Sequence, residues 1–123
     1  AENGPDCLLE LRELMMGKHK AITMPLEYRT VKAEDAYLSM AHNRDTVTIS
    51  AHQIANQPHQ AFFGDVEAIF QNHHGRPHWG KMHTMNAKNL APLYPKWNAF
   101  QKIRQNLDPK GRFMNDHLKE IFG

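Results

Sequence analysis

Three short stretches of the sequence place two polar or ionisable side chains two positions apart, which puts both on one face of a β-strand. The pairs are Glu27 and Arg29 in "PLEYRTV", Ser50 and His52 in "TVTISAHQ", and Lys81 and His83 in "HWGKMHT". A carboxylate beside a guanidinium stays ionised and can accept a hydroxyl proton, and an ammonium group stabilises negative charge nearby. If the three strands are neighbours, the sequence predicts one polar sheet face that carries all three pairs.

Each pair also has a simple structural explanation. Glu27 and Arg29 can form a solvated ion pair, and the Ser-x-His pair suits any exposed strand face. Lys81 lies two positions from Trp79 and can stack on an aromatic surface as a cation. No pair identifies a function by itself, and only their conjunction indicates a site.

The nine His residues raise the question of a metal site. Their spacing fits neither a His-Glu-x-x-His motif nor a Cys/His zinc pattern, and Cys7 is the only cysteine. His73 and His74 follow an apolar helical stripe and suit the C-terminal end of a helix. We therefore expect no metal ion, and we keep a His-rich metal-binding domain as an alternative that metal analysis of chelator-washed protein would test.

Length and composition indicate one compact globular domain of 123 residues, 41% of them hydrophobic and 23% charged. No apolar run approaches the roughly 20 residues of a membrane helix, and the N-terminal stretch lacks the pattern of a signal peptide. The single Cys7 excludes an internal disulfide and suits a reducing compartment. Basic residues are scattered, so we expect no nucleic-acid partner. These features predict a cytoplasmic protein, with peripheral membrane association left open.

Apolar residues at helical spacing predict most of the secondary structure. Helical segments are expected at 6–17 with Asp6 as N-cap, 32–40, 61–75, 86–93 with Asn86 as N-cap, 95–107, and a last turn capped by Asp116. The clearest apolar stripe belongs to the third of these and consists of Phe62, Val66, Ile69 and Phe70. This stripe is expected to face the core.

Alternating apolar and polar residues predict three strands, at 20–32, 46–54 and 76–84, and the "RFMN" segment is expected to be extended. The order of helices and strands predicts an α+β fold with an antiparallel or mixed sheet and helices packed on one face. The apolar strand faces and the helix stripe would enclose the core. The polar pairs would then lie on the opposite sheet face.

The segment "RPHWGKMHT", followed by "LAPLYPKWNAFQKIRQNLDPKGRFMNDHLKEIFG", closely resembles the C-terminal end of the aldonolactone oxidases and dehydrogenases. This group includes D-arabinono-1,4-lactone oxidase and L-gulono-1,4-lactone oxidase or dehydrogenase, with alditol oxidases as near relatives, and belongs to the vanillyl-alcohol-oxidase type of flavoproteins. The resemblance covers nearly the whole chain, from "PLEYRTV" through "LSMAHNRDTVTISAHQ" and "DVEAIF" to the terminal Gly.

The resemblance implies transfer of a hydride from a carbinol carbon of a sugar lactone or polyol to N5 of FAD, with reoxidation of the flavin by oxygen or another acceptor. It also implies catalytic roles for Glu27, Arg29 and Lys81, substrate binding by Ser50, His52 and His83, and cofactor contacts from His78, Lys81 and Asn115. The "SAHQ" segment favours the lactone branch, since alditol oxidases differ at these positions.

Family members are several times longer, and their N-terminal domain supplies the pyrophosphate site of FAD. The resemblance therefore implies that residues 1–85 are part of a substrate-binding cap domain and residues 86–123 a C-terminal helical tail that packs back on the FAD-binding domain, which is absent here. We expect the isolated chain to bind FAD weakly or not at all and to show no turnover, and its exposed apolar surface would allow self-association.

Two alternatives to a lactone-oxidising fragment stay open. One is a fragment of an alditol (polyol) oxidase, and the other is a non-catalytic binding module that reuses the cap fold. A coding region that continues upstream into a flavin-binding domain would exclude the binding module.

Overall fold

The computed structural model describes residues 1–123 and contains five α-helices, a short 3₁₀ helix and two β-strands. In chain order the elements are α1 (Gly4–Gly17), β1 (Glu27–Val31), β2 (Thr46–Ser50), α2 (Gln60–Asn72), α3 (Ala87–Leu90), the 3₁₀ helix Ala91–Leu93, α4 (Trp97–Leu107) and α5 (Asp116–Phe122). The predicted α+β class is confirmed. None of these helices combines the length and apolar character that a membrane crossing requires.

The chain divides into two compact units. The first consists of residues 1–33 and 44–75, and the second of residues 34–43 and 76–123. The second unit therefore joins the predicted C-terminal tail to the segment 76–85 and to a loop that lies much earlier in the sequence.

In the first unit, β1 and β2 form a two-stranded antiparallel sheet in which Glu27 lies opposite Ser50. Its core contains the buried residues Cys7 and Leu11 from α1 and Phe62 and Val66 from α2. Half-buried apolar residues pack against them; these are Leu14, Met15, Ile22, Leu26, Ile49, Ala51, Phe63, Ile69 and Phe70. The apolar stripe predicted for α2 is confirmed. Burial raises the pKa of the Cys7 thiol, and the nearby Glu10 carboxylate adds to the effect.

Two histidine–carboxylate pairs join α1 to α2, and in each the histidine lies just beyond the end of one helix and the carboxylate lies near the middle of the other. His73 Nε2 lies 2.9 Å from Glu10 Oε1, and His19 Nε2 lies 2.6 Å from Asp65 Oδ2. The Lys18 ammonium group lies 2.7 Å from the same Asp65 oxygen. His73 does follow the end of α2, as predicted, but its ring also ties that end to the neighbouring helix.

The second unit has its own core, formed by the buried residues Leu90, Tyr94, Trp97 and Ile121. Arg76 connects this core to the loop 34–43: its Nη1 donates to the carbonyls of Met40 at 3.2 Å and His42 at 3.1 Å. Its Nε donates to the Leu93 carbonyl at 2.8 Å, and its guanidinium carbon lies 5.2 Å from the centre of the Tyr94 ring. Arg76 therefore holds segments together that are far apart in sequence.

The predicted third strand at 76–84 is wrong, because this segment is irregular, with a turn at residues 79–80. The Lys81 amide donates to the His78 carbonyl at 3.0 Å, and the Gly80 amide donates to His78 Nδ1 at 3.0 Å. Trp79 Nε1 donates to the Leu38 carbonyl at 2.8 Å. The Trp79 side chain thus anchors a turn to the loop 34–43. The amides of Gly80 and Lys81 form hydrogen bonds within the turn and not with a neighbouring strand.

The first two strands exist but are shorter than predicted, since β1 begins at Glu27 and β2 ends at Ser50. Pro25, which has no N–H to donate, precedes β1, and its carbonyl accepts a hydrogen bond from His52. The predicted helical turn at 32–40 is replaced by turns and an isolated bridge between Glu34 and His42. Glu34 and Asp35 therefore lie in a loop and not in the first turn of a helix.

Helix termini were only partly predicted. Asn86 caps α3 through a capping box, as expected. Helix α1 begins at Gly4 with Asp6 in its first turn, so Asp6 is not the N-cap. The last helix is capped by Asn115, whose Oδ1 accepts from the Leu118 amide at 2.8 Å, and not by Asp116. The "RFMN" segment is a turn instead of an extended piece, because the Asp108 carboxylate accepts hydrogen bonds from two of its amides.

Candidate functional site

The polar face of the β1–β2 pair carries the first candidate residues. Arg29 Nη2 donates to Glu27 Oε1, so the two side chains form an ion pair along one strand. The side chains of Arg29 and Glu27 are 67% and 40% exposed. The pair is therefore open to a ligand. An exposed ion pair of this kind contributes little to the stability of the fold.

The register of the sheet adds residues of β2 to this face. Ser50 lies directly opposite Glu27, and Thr48 lies directly opposite Arg29. Directly opposed residues of an antiparallel pair project to the same side, with Cβ atoms about 4.5–5.5 Å apart. A carboxylate, a guanidinium and two hydroxyl groups thus share one surface, which suits hydrogen bonding to a polyhydroxylated small molecule.

His52 lies just beyond the end of β2. Its Nδ1 is 3.2 Å from the Pro25 carbonyl. Because a carbonyl only accepts, Nδ1 carries the proton in this hydrogen bond, and Nε2 is then the acceptor of the neutral ring. His52 is oriented beside the start of β1 with one nitrogen committed to the backbone.

The remaining predicted site residues belong to the second compact unit: His78, Lys81, His83 and Asn115. Lys81 is exposed and follows the turn that begins at His78. The His78 ring is part of that turn, since its Nδ1 accepts from the Gly80 amide. Asn115 uses its side-chain oxygen to cap α5. Because the sheet has two strands and Lys81 and His83 lie outside it, the prediction that one sheet face carries all three pairs is wrong. A contact of Lys81 with the substrate or the cofactor stays a prediction.

His83 is chemically unusual within the second unit. Both of its ring nitrogens are buried without a hydrogen-bond partner, and its ring centre lies 6.4 Å from that of His117. A buried polar atom without a partner costs free energy, so such atoms are uncommon in folded proteins. The structure groups no three His, Cys, Asp or Glu side chains in a way that could hold a metal ion.

The sequence motifs did not single out Thr48 as a site residue. The alternation of β2 had placed Thr48 on the polar side together with Ser50 and His52, so the signal was present. The sequence did not show the strand register, which sets Thr48 opposite Arg29. The structural role of Arg76 had no sequence signal, because its partners are backbone carbonyls of a distant loop.

The fold and this sheet face define a small α+β polypeptide that presents a paired carboxylate and guanidinium beside hydroxyl groups. The chain belongs to the D-arabinono-1,4-lactone oxidase family, whose family model matches residues 1–121. The resemblance drawn from the sequence motifs is thereby confirmed.

Named relatives agree with this family. The chain is 38% identical over 122 residues to L-gulono-1,4-lactone dehydrogenase of Mycobacterium tuberculosis, which covers 99% of this chain and 28% of that protein. It is 30% identical to L-gulonolactone oxidase of Mus musculus over 98% of this chain and 29% of the relative. It is 31% identical to alditol oxidase of a Streptomyces species over 77% of this chain and 23% of the relative. The chain thus spans less than a third of the length of each of these relatives.

Proposed function

We propose that this chain is the C-terminal substrate-binding portion of a longer FAD-dependent oxidoreductase that oxidises a sugar 1,4-lactone. The observation that carries this proposal is the Glu27–Arg29 ion pair opposite Ser50 on an exposed sheet face. It occurs in a chain whose family and relatives are named for lactone oxidation. Hydroxyl-rich substrates require such a combination of charged and neutral hydrogen-bonding groups.

Glu27 and Ser50 would bind the hydroxyl group at the reacting carbon. The Glu27 carboxylate would accept a hydrogen bond from that hydroxyl and take its proton, and the hydrogen bond from Arg29 orients the carboxylate. Ser50, directly opposite, adds a second hydroxyl contact. The roles of His52 in substrate binding and of Lys81 near the reacting centre follow from the family resemblance and remain part of the proposal.

FAD, when bound, supplies the hydride acceptor. The residues of this chain fit a ligand beside that acceptor in one respect: both ring nitrogens of His83 lack a hydrogen-bond partner within the chain, as expected of a group that pairs with a ligand. His83 is proposed to contact substrate, and His78, Lys81 and Asn115 to contact the cofactor. The sequence has no Gly-rich phosphate loop, so the pyrophosphate of FAD would be held by the rest of the longer protein.

The proposal also covers domain organisation. Residues 1–85 would belong to the substrate-binding cap, and residues 86–123 would form the tail that packs on the FAD-binding domain. Leu107 and Phe113 of this tail are 80% and 82% exposed, which is unusual for large apolar side chains and suits a surface that another domain covers. The same surface would allow the isolated chain to self-associate, and without the FAD-binding domain the chain would be inactive.

The test is anaerobic mixing of the longer flavoprotein with an aldonolactone while the flavin absorbance is recorded. Bleaching of the oxidised flavin by the lactone supports the proposal, and a flavin that is stable with every lactone tested contradicts it. An alditol is the necessary second substrate, because the 31% identity to an alditol oxidase favours a polyol as the alternative. Faster bleaching by the alditol than by the lactone would assign the enzyme to the alditol oxidases.

A further inference from the structure

On the polar face of the β1–β2 pair, the sheet register fixes the order of the hydrogen-bonding side chains along the strands. This order bears on which substrates the face accepts. Three directly opposed pairs project from it: Glu27 with Ser50, Arg29 with Thr48, and Val31 with Thr46. Thr46 Oγ1 donates to the Arg44 carbonyl at 3.0 Å, and Val31 is apolar, so the third pair belongs to the turn end of the hairpin. The hydrogen-bonding surface therefore consists of the first two pairs.

The separation of these two pairs is set by strand geometry. Residues two apart along a strand are about 6.8 Å apart. This distance is comparable to the length of one sugar unit. A substrate whose reacting carbon lies at Glu27 and Ser50 therefore reaches Arg29 and Thr48 with the far end of its carbon chain.

Arg29 is suited to this second position. Its Nη2 donates to Glu27, and a guanidinium carries five N–H donors, so further donors can bind a ligand. A guanidinium only donates, whereas the Thr48 hydroxyl both donates and accepts. Only Thr48 in this second pair can accept a hydrogen bond from a distal substrate hydroxyl.

We propose that Thr48 determines specificity by binding, together with Arg29, the hydroxyl groups at the end of the substrate remote from the reacting carbon. The inference rests on the proposed function, since it presupposes that a polyhydroxylated substrate lies on this sheet face. It predicts that Thr48 distinguishes lactones with a hydroxylated side chain from lactones that lack it.

The experiment compares Thr48→Val with wild type in the longer flavoprotein that contains this segment. Valine keeps the branched shape that suits a strand and removes the hydroxyl. We expect kcat/KM to fall about three- to tenfold for an aldonolactone with a hydroxylated side chain, and to change less than twofold for the matching lactone whose side-chain hydroxyls are replaced by hydrogen. Thr48→Ser keeps the hydroxyl and should retain the wild-type preference between the two lactones.

Thr30→Val is the matched control, because Thr30 lies on the same strand pair but opposite Val47, on the other face. It should leave the preference unchanged. If Thr48→Val does not fold, Thr48→Ala removes the hydroxyl independently. An equal loss for both lactones, or no loss for either, in an active enzyme would overturn the role of Thr48 alone. A wild-type protein whose flavin is reduced by neither lactones nor polyols would overturn the proposed function and this inference with it.

Discussion

Arg29 donates a hydrogen bond to the carboxylate of Glu27, its neighbour two positions earlier on the same strand, and the register of the sheet sets Ser50 across from that carboxylate. The ion pair lies on an exposed face and does not close a hydrophobic core. Its removal should therefore cost little stability and should affect ligand binding and chemistry. The functional predictions concern the proposed longer flavoprotein of which this chain would be a part.

Arg29→Ala should abolish most flavin reduction by aldonolactones while FAD stays bound. We expect a loss of about 100-fold or more in the reduction rate, since Arg29 both orients Glu27 and holds the remote end of the substrate in place. Anaerobic stopped-flow spectroscopy measures the rate, and the flavin content of purified protein measures retention. Arg12→Ala, an exposed arginine of α1, is the control. An unchanged single-turnover rate of flavin reduction in Arg29→Ala would show that Arg29 is not part of the site.

Lys81→Met should slow substrate-driven reduction of the flavin by about tenfold or more, because a cation near the reduced ring stabilises its negative charge. The exposed position of Lys81 predicts that the variant folds normally, which circular dichroism checks. Lys102→Met changes an equally exposed lysine on α4 and should have no effect. Bleaching at the normal rate would show that Lys81 is an ordinary surface residue.

Acid should weaken the α1–α2 packing through Asp65. Hydrogen bonds from Lys18 and then His19 lower the pKa of Asp65 below its ordinary value of 3.8. A carboxyl group with a lowered pKa contributes stability above its unfolded pKa, and the contribution is lost as pH falls through the folded pKa. In urea unfolding, wild type should exceed Asp65→Asn in stability at pH 7, and the difference should shrink below about pH 4. Asp35→Asn, an exposed acid, is the control; a pH-independent difference would contradict this linkage.

Arg76→Ala should destabilise the second unit by about 2–3 kcal/mol, because it removes charged hydrogen bonds to four backbone carbonyls, including that of Leu93. Arg76→Lys should recover only part of this loss, since an ammonium cannot reproduce the planar fork of donors. Chemical unfolding gives the free energy, and hydrogen exchange should show lost protection in the loop 34–43. Arg112→Ala, an exposed site, should be neutral. Wild-type stability of Arg76→Ala would contradict the anchoring role.

Leu107→Ser with Phe113→Ser should leave the stability of the isolated chain within about 0.5 kcal/mol, because both side chains are already exposed. The double variant should also self-associate less, as measured by analytical ultracentrifugation. In the longer protein the same changes should lower the melting temperature, since the tail is proposed to pack on the FAD-binding domain. Leu9→Ser, an exposed change in the first unit, is the control. A longer protein of unchanged melting temperature would contradict the proposed packing of the tail.

The elements that sequence patterns predicted well are those with local causes. The stripe of α2 and the capping box at Asn86 depend on residues a few positions apart, and both are confirmed. The alternation of β2 correctly placed Ser50 on the polar face beside Glu27. Local periodicity therefore predicted which side chains of the hairpin face the core and which do not.

The prediction of a third strand was wrong because the conformation of that segment depends on contacts with remote residues. Residues 76–84 alternate like a strand, but Arg76 and Trp79 bind carbonyls of residues 38–42, some 35–40 positions earlier. No period within the segment contains that information. The assignment of residues 34–43 and 76–123 to one unit is likewise a non-local property.

The sequence by itself determined the family, through motifs spread over nearly the whole chain, and the residues of the Glu-x-Arg pair, because strand alternation is a local steric property. Only the tertiary structure decided that Thr48 lies opposite Arg29, that both ring nitrogens of His83 are buried without hydrogen-bond partners, and that Arg76 holds a distant loop. These three facts depend on strand register, on burial and on contacts between remote segments. Such properties arise only when the whole chain has packed.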